Sequence, residues 1–257
     1  MRLLLLLLLL PLAARAEAVR LPGPDGMMLN AELFLPRGAP KGAGIVALHG
    51  CGGPTPERDA DWARRLAAAG HVVLLPDSYG SRGLGAQCAN PASAVTALGK
   101  RRQDAIAAMR YLAARPGTPP GGLVLMGWSD GGSTVLAAGR VAPDLPPGLL
   151  RGLVAFYPGC RAAARAGWEP AAPLLVLVGE ADDWTPAAPC QAVAERHPDS
   201  VKLVAYPGAA HDFDIAGRPV RLRSGLSEAG GRVHAGTDPA AREDALRRVP
   251  AFIAALP

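Results

Sequence analysis

The chain has 257 residues, of which 49% are hydrophobic and 19% are charged. This length is enough for one α/β domain with a sizeable core, and the composition excludes a disordered chain and a polytopic membrane protein. The formal net charge is +5, but all 27 basic residues except Lys41, Lys100 and Lys202 are Arg. Together with the abundant Ala, Gly and Pro, this ratio indicates biased codon usage, and we expect no nucleic-acid partner.

The N-terminus has the parts of a secretory signal peptide. Met1-Arg2 gives a short positive start, Leu3 to Leu12 is apolar, and Ala14-Arg15-Ala16 supplies a small-x-small cleavage pattern. The apolar run has about ten residues, whereas a membrane span needs about twenty, so we expect export and no stable span after removal of the signal. Cleavage after Ala16, with Ala18 as the second choice, leaves residues 17–257 as a single domain in the periplasm or outside the cell.

Export affects the interpretation of the cysteines. The four cysteines form no CxxC pair, and an even number of cysteines in an oxidising compartment indicates disulfides rather than a zinc site. No other metal-ligand pattern is present in the sequence, so no metal is expected. The cysteines are Cys51, Cys88, Cys160 and Cys190.

Short aliphatic runs alternate with helical patterns, which is typical of a mostly parallel sheet with helices on its faces. The predicted strands are Ala31–Leu35, Ile45–Leu48, Val72–Leu75, Leu123–Met126, Gly152–Phe156, Leu174–Val178 and Val201–Tyr206. The predicted helices are Asp59–Ala69, Arg102–Ala114, Gly131–Ala142, Pro186–Arg196 behind a Thr185 cap, and a last helix from Asp238-Pro239 to about Ala255. Residues Pro207 to Thr237 are Gly-rich and aperiodic, which predicts a long functional or mobile loop.

The segment after the fourth predicted strand carries a candidate nucleophile. Gly127-Trp128-Ser129-Asp130-Gly131 is a G-x-S-x-G pattern, and it stands between a strand and a helix. Glycines at these places allow a tight strained turn that exposes the serine hydroxyl at the start of the helix. An ordinary glycine turn is the alternative, but the strand-turn-helix context favours a nucleophile.

A serine nucleophile needs a base, and the base needs an orienting carboxylate. Asp182 and Asp183 follow one predicted strand and His211 follows the next, so both groups lie at carboxyl ends of strands, where α/β sheets place their sites. We favour His211 over His234 as the base, and Asp182 over Asp183 as the acid. The other histidines are expected to be structural or solvated: His49, His71 and His197.

The tetrahedral intermediate of such a reaction needs two backbone N–H donors. One is expected from Asp130, directly after the nucleophile. The other is expected from the glycine-rich run His49–Gly53, where Cys51 is the favoured donor. A plain glycine turn is the alternative interpretation of that run.

Taken together, six segments resemble the dienelactone hydrolase family of α/β-hydrolases from about residue 30 to the end. The resemblance implies an α/β-hydrolase fold with an eight-stranded type of sheet, no cofactor, and hydrolysis of small esters or lactones. It also implies a nucleophile, an acid and a base, carried here onto Ser129, Asp182 and His211. The segments are HGCGG (49–53), DSYGSRG (77–83), GWSDGG (127–132), FYPGC (156–160), GEADDWTP (179–186) and YPGAAHDFD (206–214).

This sequence departs from the family in two positions. The name-giving enzymes use Cys as nucleophile, whereas this chain has Ser129, and Asp212 stands where a carboxylate-binding Arg is expected. Arg82 could pair with an acidic substrate group or form a surface salt bridge. Trp128 and Trp184 flank the expected triad, either as walls of an apolar pocket or as plain core packing.

The sequence predicts an exported serine esterase with a small-molecule substrate, and it leaves other activities open. A peptidase or acyltransferase on the same scaffold has the same triad. A secreted binding module that has lost turnover is the non-enzymatic alternative. Because the strands preceding each pair of cysteines should be neighbours in the sheet, we also expect the disulfides Cys51–Cys88 and Cys160–Cys190.

Overall fold

A computed structural model of the protein describes residues 15–90, 92–119, 122–142, 144, 146–165, 167–224 and 231–257. Eight strands form its main sheet: β1 (Arg15–Pro22), β2 (Met28–Leu35), β3 (Gly44–Leu48), β4 (Val72–Asp77), β5 (Leu123–Trp128), β6 (Leu150–Phe156), β7 (Leu174–Gly179) and β8 (Val201–Tyr206). Their spatial order is β1-β2-β4-β3-β5-β6-β7-β8. The β1-β2 and β2-β4 pairs are antiparallel, and the pairs from β4 to β8 are parallel.

Five α-helices cover the two faces of this sheet: α1 (Asp61–Ala68), α2 (Lys100–Ala114), α3 (Asp130–Ala138), α4 (Ala188–Arg196) and α5 (Pro239–Ala254). Alternate residues of β3 point to opposite faces. Ile45 packs in the core with α1 and α5, whereas Val46 packs in the core with α2, α3 and α4. Because both faces are covered, β3 is buried along its whole length, as its unbroken apolar run predicts. The predicted fold class is therefore confirmed.

Several helix ends differ from the predicted ones, because residues at those ends make contacts outside the helix. The predicted first helix starts as a π-helical turn at Pro56–Ala60. Helix α3 ends at Ala138 rather than Ala142, because Arg140 forms a β-bridge with Pro170. Helix α4 begins at Ala188, so the prediction of a Thr185 cap is wrong. Asp238 does cap α5, since its carboxylate accepts the N–H of Ala241 at 2.9 Å.

Three strands were not predicted. In the region expected to be one long loop, β9 (Arg221–Ser224) and β10 (Arg232–Ala235) pair antiparallel as a separate two-stranded sheet. The third is β1. Residues 1–14 of the predicted signal peptide lie outside the described residues, whereas Arg15 and Ala16 are the first two residues of β1. None of the helices in the described part of the chain is long and apolar enough to cross a membrane.

Both expected disulfides are present. Cys51 is bonded to Cys88 and Cys160 to Cys190, with Cα–Cα distances of 4.9 and 5.1 Å. The first bond joins segments that follow the neighbouring strands β3 and β4, and the second joins segments that follow β6 and β7. Adjacency in the sheet therefore brings each pair within bonding distance.

Candidate active site

Ser129 lies at the sharp turn between β5 and α3. Its backbone has φ 55° and ψ −118°, a conformation that residues with a Cβ rarely adopt. Close packing fixes this turn, because a Cβ on Gly131 would lie 2.1 Å from the Leu48 carbonyl oxygen. The Ser129 N–H donates to the Phe156 carbonyl at 2.9 Å. The pattern that predicted a strained serine turn therefore has the corresponding backbone geometry here.

The side chains of Ser129, His211 and Asp182 form a continuous hydrogen-bonded line. His211 Nε2 lies 2.9 Å from Ser129 Oγ, and His211 Nδ1 lies 2.7 Å from Asp182 Oδ2. All three residues are buried. They come from segments that follow β5, β7 and β8, which end at the same edge of the sheet. This arrangement can transfer a proton from a serine hydroxyl to a histidine that a carboxylate orients.

Asp182 is itself fixed by donors from its own loop. Its Oδ1 accepts the backbone N–H groups of Trp184 and Thr185 at 2.9 and 2.8 Å. The Thr185 hydroxyl lies 2.9 Å from Asp182 Oδ2, 2.9 Å from the Tyr157 carbonyl and 3.1 Å from His211 Nδ1. Thr185 therefore braces the carboxylate instead of capping α4. The sequence does not distinguish these two roles, because Thr185 stands three residues after Asp182 and also directly before Pro186, where a helix was expected to begin.

Asp183 and His234 make a second pair beside the first. His234 Nδ1 lies 2.8 Å from Asp183 Oδ2, and the His234 N–H donates to Asp183 Oδ1 at 2.8 Å. Both side chains are exposed to solvent, at 43% for Asp183 and 56% for His234. Asp183 therefore faces solvent, and it also fastens β10 to the loop that carries Asp182.

The two expected oxyanion donors lie beside Ser129. Cys51 and Asp130 line, together with Ser129, a cavity of about 400 Å³. Within the described residues, neither backbone N–H donates to another backbone group, and Asp130 is the first residue of α3, where an N–H has no partner in its own helix. Both are thus free to donate to a bound oxygen. Cys88 and Cys160 also line this cavity, so both halves of the first disulfide and one half of the second form part of its wall.

A buried cation connects the two segments that carry these donors. The Arg101 guanidinium bonds to the Asp130 carboxylate through Nη1 and donates to the His49 carbonyl at 2.5 Å through Nη2. The Tyr79 hydroxyl also donates to Asp130, at 2.8 Å. Burial raises the pKa of Tyr79, more than the Arg101 charge lowers it, so this hydroxyl stays protonated and donates. Sequence reasoning missed both roles: Arg101 belongs to no motif, and Tyr79 lies in the DSYGSRG segment, which indicated the family but not this contact.

Only one of the three expected pocket residues lines the cavity. The ring of Trp184 lies 4.6 Å from that of His211 and forms part of the wall. Trp128 is fully buried and donates its Nε1–H to Asp214, so its role is core packing. Arg82 makes two bonds to Asp104, at 2.7 and 2.8 Å, so of its two expected roles the structure shows the salt bridge.

A buried ionic cluster supports the turn after His211. Asp212 has φ 60° and accepts from Arg58 Nη1 at 2.9 Å. Burial raises the pKa of the Asp212 carboxyl, but the charges of Arg58 and of the other basic side chains around Asp212 outweigh this effect and lower the pKa below its usual value of 3.8. Asp212 therefore stays ionised and anchors the segment that follows β8 to the turn before α1.

Comparison with known proteins assigns most of the chain to one family. The model of the dienelactone hydrolase family matches residues 29–256. No curated protein matches the chain significantly.

Solved structures with the same fold cover nearly the whole chain. One protein, assigned as a dienelactone hydrolase from Klebsiella pneumoniae, has a TM-score of 0.71 and 19% identity, covering 95% of this chain and 100% of its own. A dienelactone hydrolase-like promiscuous phosphotriesterase from metagenomic libraries has a TM-score of 0.67 and 20% identity, with coverages of 95% and 99%. Esterase 2 of Thermogutta terrifontis, phosphoramylated by tabun, has a TM-score of 0.66 and 21% identity, with coverages of 95% and 96%. These likenesses show an α/β-hydrolase fold.

Proposed function

The chain belongs to the dienelactone hydrolase family, whose members hydrolyse ester bonds, and from this premise we propose that it is a serine esterase acting on small esters or lactones through Ser129, His211 and Asp182. The observation that carries the proposal is the line of two hydrogen bonds, at 2.9 and 2.7 Å, from the serine through the histidine to the carboxylate. A binding protein without turnover would not require a serine in a strained backbone conformation with a histidine and a carboxylate as hydrogen-bond partners.

The proposed reaction begins with attack of Ser129 Oγ on the substrate carbonyl carbon while His211 Nε2 takes the hydroxyl proton. Asp182 holds Nδ1–H and stabilises the imidazolium that forms. The carbonyl oxygen becomes an oxyanion and accepts from the N–H groups of Cys51 and Asp130. His211 then protonates the leaving alcohol as the acyl-enzyme forms. Water, activated by the same histidine, releases the acid and restores Ser129.

Labelling with a fluorophosphonate probe tests the nucleophile. We expect stoichiometric labelling of Ser129, loss of labelling in Ser129→Ala, and loss of p-nitrophenyl acetate hydrolysis by about 10⁴-fold or more. Ser93→Ala is the matched control, because Ser93 also lines the cavity but has no histidine partner. Labelling of another residue, or a Ser129→Ala protein with normal turnover, excludes the mechanism.

The acyl acceptor separates esterase from acyltransferase and peptidase. The cavity of about 400 Å³ favours small substrates. A series of p-nitrophenyl esters of increasing chain length is expected to give the highest kcat/KM for short acyl groups. Product analysis in the presence of alcohols and of peptides then shows whether water is the preferred acceptor and whether amides are cleaved.

We also propose that the protein is exported and that its signal peptide is removed after Ala16. The two disulfides support this proposal, because such bonds persist in oxidising compartments. Cleavage there removes only Arg15 and Ala16 from β1, and the pairing of Glu17–Pro22 with β2 remains. Mass spectrometry of the mature protein from the periplasm or medium is expected to find Glu17 as its first residue.

A further inference from the structure

The loop that carries the Cys51 N–H is held at three consecutive carbonyl groups, those of His49, Gly50 and Cys51. The His49 carbonyl accepts from Arg101 Nη2 at 2.5 Å, and the Cys51 carbonyl accepts the Gln87 N–H at 2.8 Å. The Gly50 carbonyl accepts the Gly53 N–H at 3.2 Å and lies 2.7 Å from His49 Nδ1. The loop also lies close to the nucleophile, since a Cβ added to Gly50 would lie 3.5 Å from Ser129 Cβ.

The partners of His49 define its tautomer. The Ser78 backbone N–H is a donor and lies 3.1 Å from His49 Nε2, so Nε2 accepts. The Gly50 carbonyl is an acceptor, so Nδ1 carries the proton and donates. A single neutral tautomer, with the proton on Nδ1, satisfies both contacts.

The direction of the Cys51 N–H depends on the groups that hold the Gly50 carbonyl, and His49 Nδ1, at 2.7 Å, is nearer to it than the Gly53 N–H, at 3.2 Å. The Gly50 carbonyl and the Cys51 N–H belong to one planar peptide unit, and the described chain contains no cis peptide bond. In a trans unit these two groups point in opposite directions. Turning the Gly50 carbonyl away from His49 would therefore turn the Cys51 N–H away from its present direction.

We propose that His49 is a positioning residue of the oxyanion hole, which holds the Gly50–Cys51 peptide plane so that the Cys51 N–H faces the reacting carbonyl oxygen. This inference rests on the proposed function, because it assigns Cys51 as an oxyanion donor. His49 does not contact the substrate in this role. It acts through the peptide group that follows it.

The surroundings of His49 suit a permanently neutral ring. The residue is 3% exposed, and burial together with the nearby Arg101 charge lowers its pKa well below the usual value. The charged and titratable groups around the ring are Arg101, Arg58, the Tyr79 ring at 4.9 Å and Asp77 Oδ1 at 3.6 Å from Nε2. A neutral ring keeps its Nδ1–H donor and its Nε2 acceptor throughout the pH range in which His211 must act as a base.

His71 provides a matched control within the same sheet. It is also a buried histidine, and its Nδ1 lies 2.9 Å from the Ala43 carbonyl. However, it precedes β4, so it lies at the amino end of the parallel strands, whereas His49 follows the carboxyl end of β3. Substitutions at His71 thus measure the general cost of replacing a buried histidine.

The decisive experiment compares His49→Asn with His49→Gln. An Asn amide nitrogen takes the place of Nδ1 and can donate to Gly50, whereas the longer Gln side chain reaches the place of Nε2. We expect His49→Gln to lower kcat by about 10- to 100-fold and His49→Asn by about 3-fold or less, with KM changed by about 2-fold or less in both. Affinity for a boronic acid that forms a tetrahedral adduct with Ser129 should fall in parallel with kcat. His71→Gln should change the Tm without changing kcat.

A role limited to packing predicts the opposite ranking, because Gln fills more of the imidazole volume than Asn. Equal losses, a reversed ranking or unchanged kcat in both variants overturn the proposal. These results are distinct from failure of the proposed function, in which the wild-type protein itself neither labels at Ser129 nor hydrolyses esters.

A measurement on the wild-type protein tests the proposal even if the variants do not fold. Two-bond ¹H–¹⁵N spectra of the imidazole rings are expected to show His49 as the neutral Nδ1–H tautomer, unchanged between about pH 5 and 8. An Nε2–H tautomer, or protonation of His49 in that range, contradicts the proposal.

Discussion

Two histidine–aspartate pairs lie side by side in this protein, and their acids are consecutive residues. The His211–Asp182 and His234–Asp183 distances are 2.7 and 2.8 Å, nearly the same. In the first pair the side chains are at most 1% exposed, whereas in the second they are 43% and 56% exposed. Ser129 lies against His211, but the far ring nitrogen of His234 has no partner among the residues described. Distance between acid and base therefore does not identify a triad; burial and the third residue do.

The difference has a physical cause. In water an ion pair contributes about 0 to 1 kcal/mol, because solvent screens the charges and the side chains lose freedom. A buried carboxylate with several fixed donors has no competing water and cannot rotate away from its histidine. The first pair can thus hold an imidazole in one orientation, whereas the second can only fasten a surface strand.

Replacing the histidine of each pair gives the largest expected difference in kcat between the two pairs. His211→Ala should lower kcat for ester hydrolysis by about 10⁴- to 10⁶-fold, since the serine then has no proton acceptor. His234→Ala should leave kcat within about 3-fold of the wild-type value. Steady-state kinetics on the purified variants measures both. Similar losses in the two variants would mean that the exposed pair also takes part in the reaction.

Replacing the buried acid, Asp182, is expected to give the next largest loss of kcat. Asp182→Asn should lower kcat by about 10³- to 10⁴-fold, because an amide in this place favours the wrong histidine tautomer. Circular dichroism and the Tm would show whether the fold is retained. A folded Asp182→Asn protein with nearly normal kcat would remove Asp182 from the proposed triad.

Removing the exposed acid should affect stability more than rate. Asp183→Asn is expected to keep kcat within about 3-fold and to lower the free energy of unfolding by about 1 kcal/mol or less. Urea denaturation and ester hydrolysis on the same preparation measure the two quantities. If Asp183→Asn proves slower than Asp182→Asn, the acid must be reassigned to Asp183.

The smallest expected effect is the pH dependence of the stability that the exposed pair contributes. Partial burial raises the pKa of Asp183, but hydrogen bonds from the His234 side chain and backbone outweigh it and lower the pKa below 3.8. Its contribution to stability is therefore present above pH 3.8 and is lost as the pH falls through the lower folded-state pKa. The Tm difference between wild type and Asp183→Asn should accordingly shrink below about pH 4. A difference that grows on acidification would show that Asp183 is not stabilised as a carboxylate.

Local patterns in the sequence determined much of the fold and the identity of the three proposed catalytic side chains. The parallel strands were predictable because burial on both faces demands unbroken apolar runs such as Ile45–Leu48. The serine turn was predictable in part because one of its glycines is required locally: a Cβ on Gly127 would lie 2.5 Å from the carbonyl oxygen of Gly131, four residues away. Asp182 and His211 could be proposed because functional groups in such folds collect at the carboxyl ends of strands.

Other features depend on contacts between residues far apart in the chain, and only the tertiary structure decided them. The Arg82 guanidinium pairs with the Asp104 carboxylate. The Trp128 Nε1–H donates to Asp214, which lies 86 residues further along the chain. Thr185 holds the Asp182 carboxylate because the fold places Tyr157 and His211 within hydrogen-bond distance of the Thr185 hydroxyl. His49 was expected to be structural or solvated, and its contact with Ser78 depends on the segment that follows β4, the strand next to β3 in the sheet. A sequence motif identifies which side chains are available for chemistry. The order of the strands in the sheet determines which residues those side chains contact.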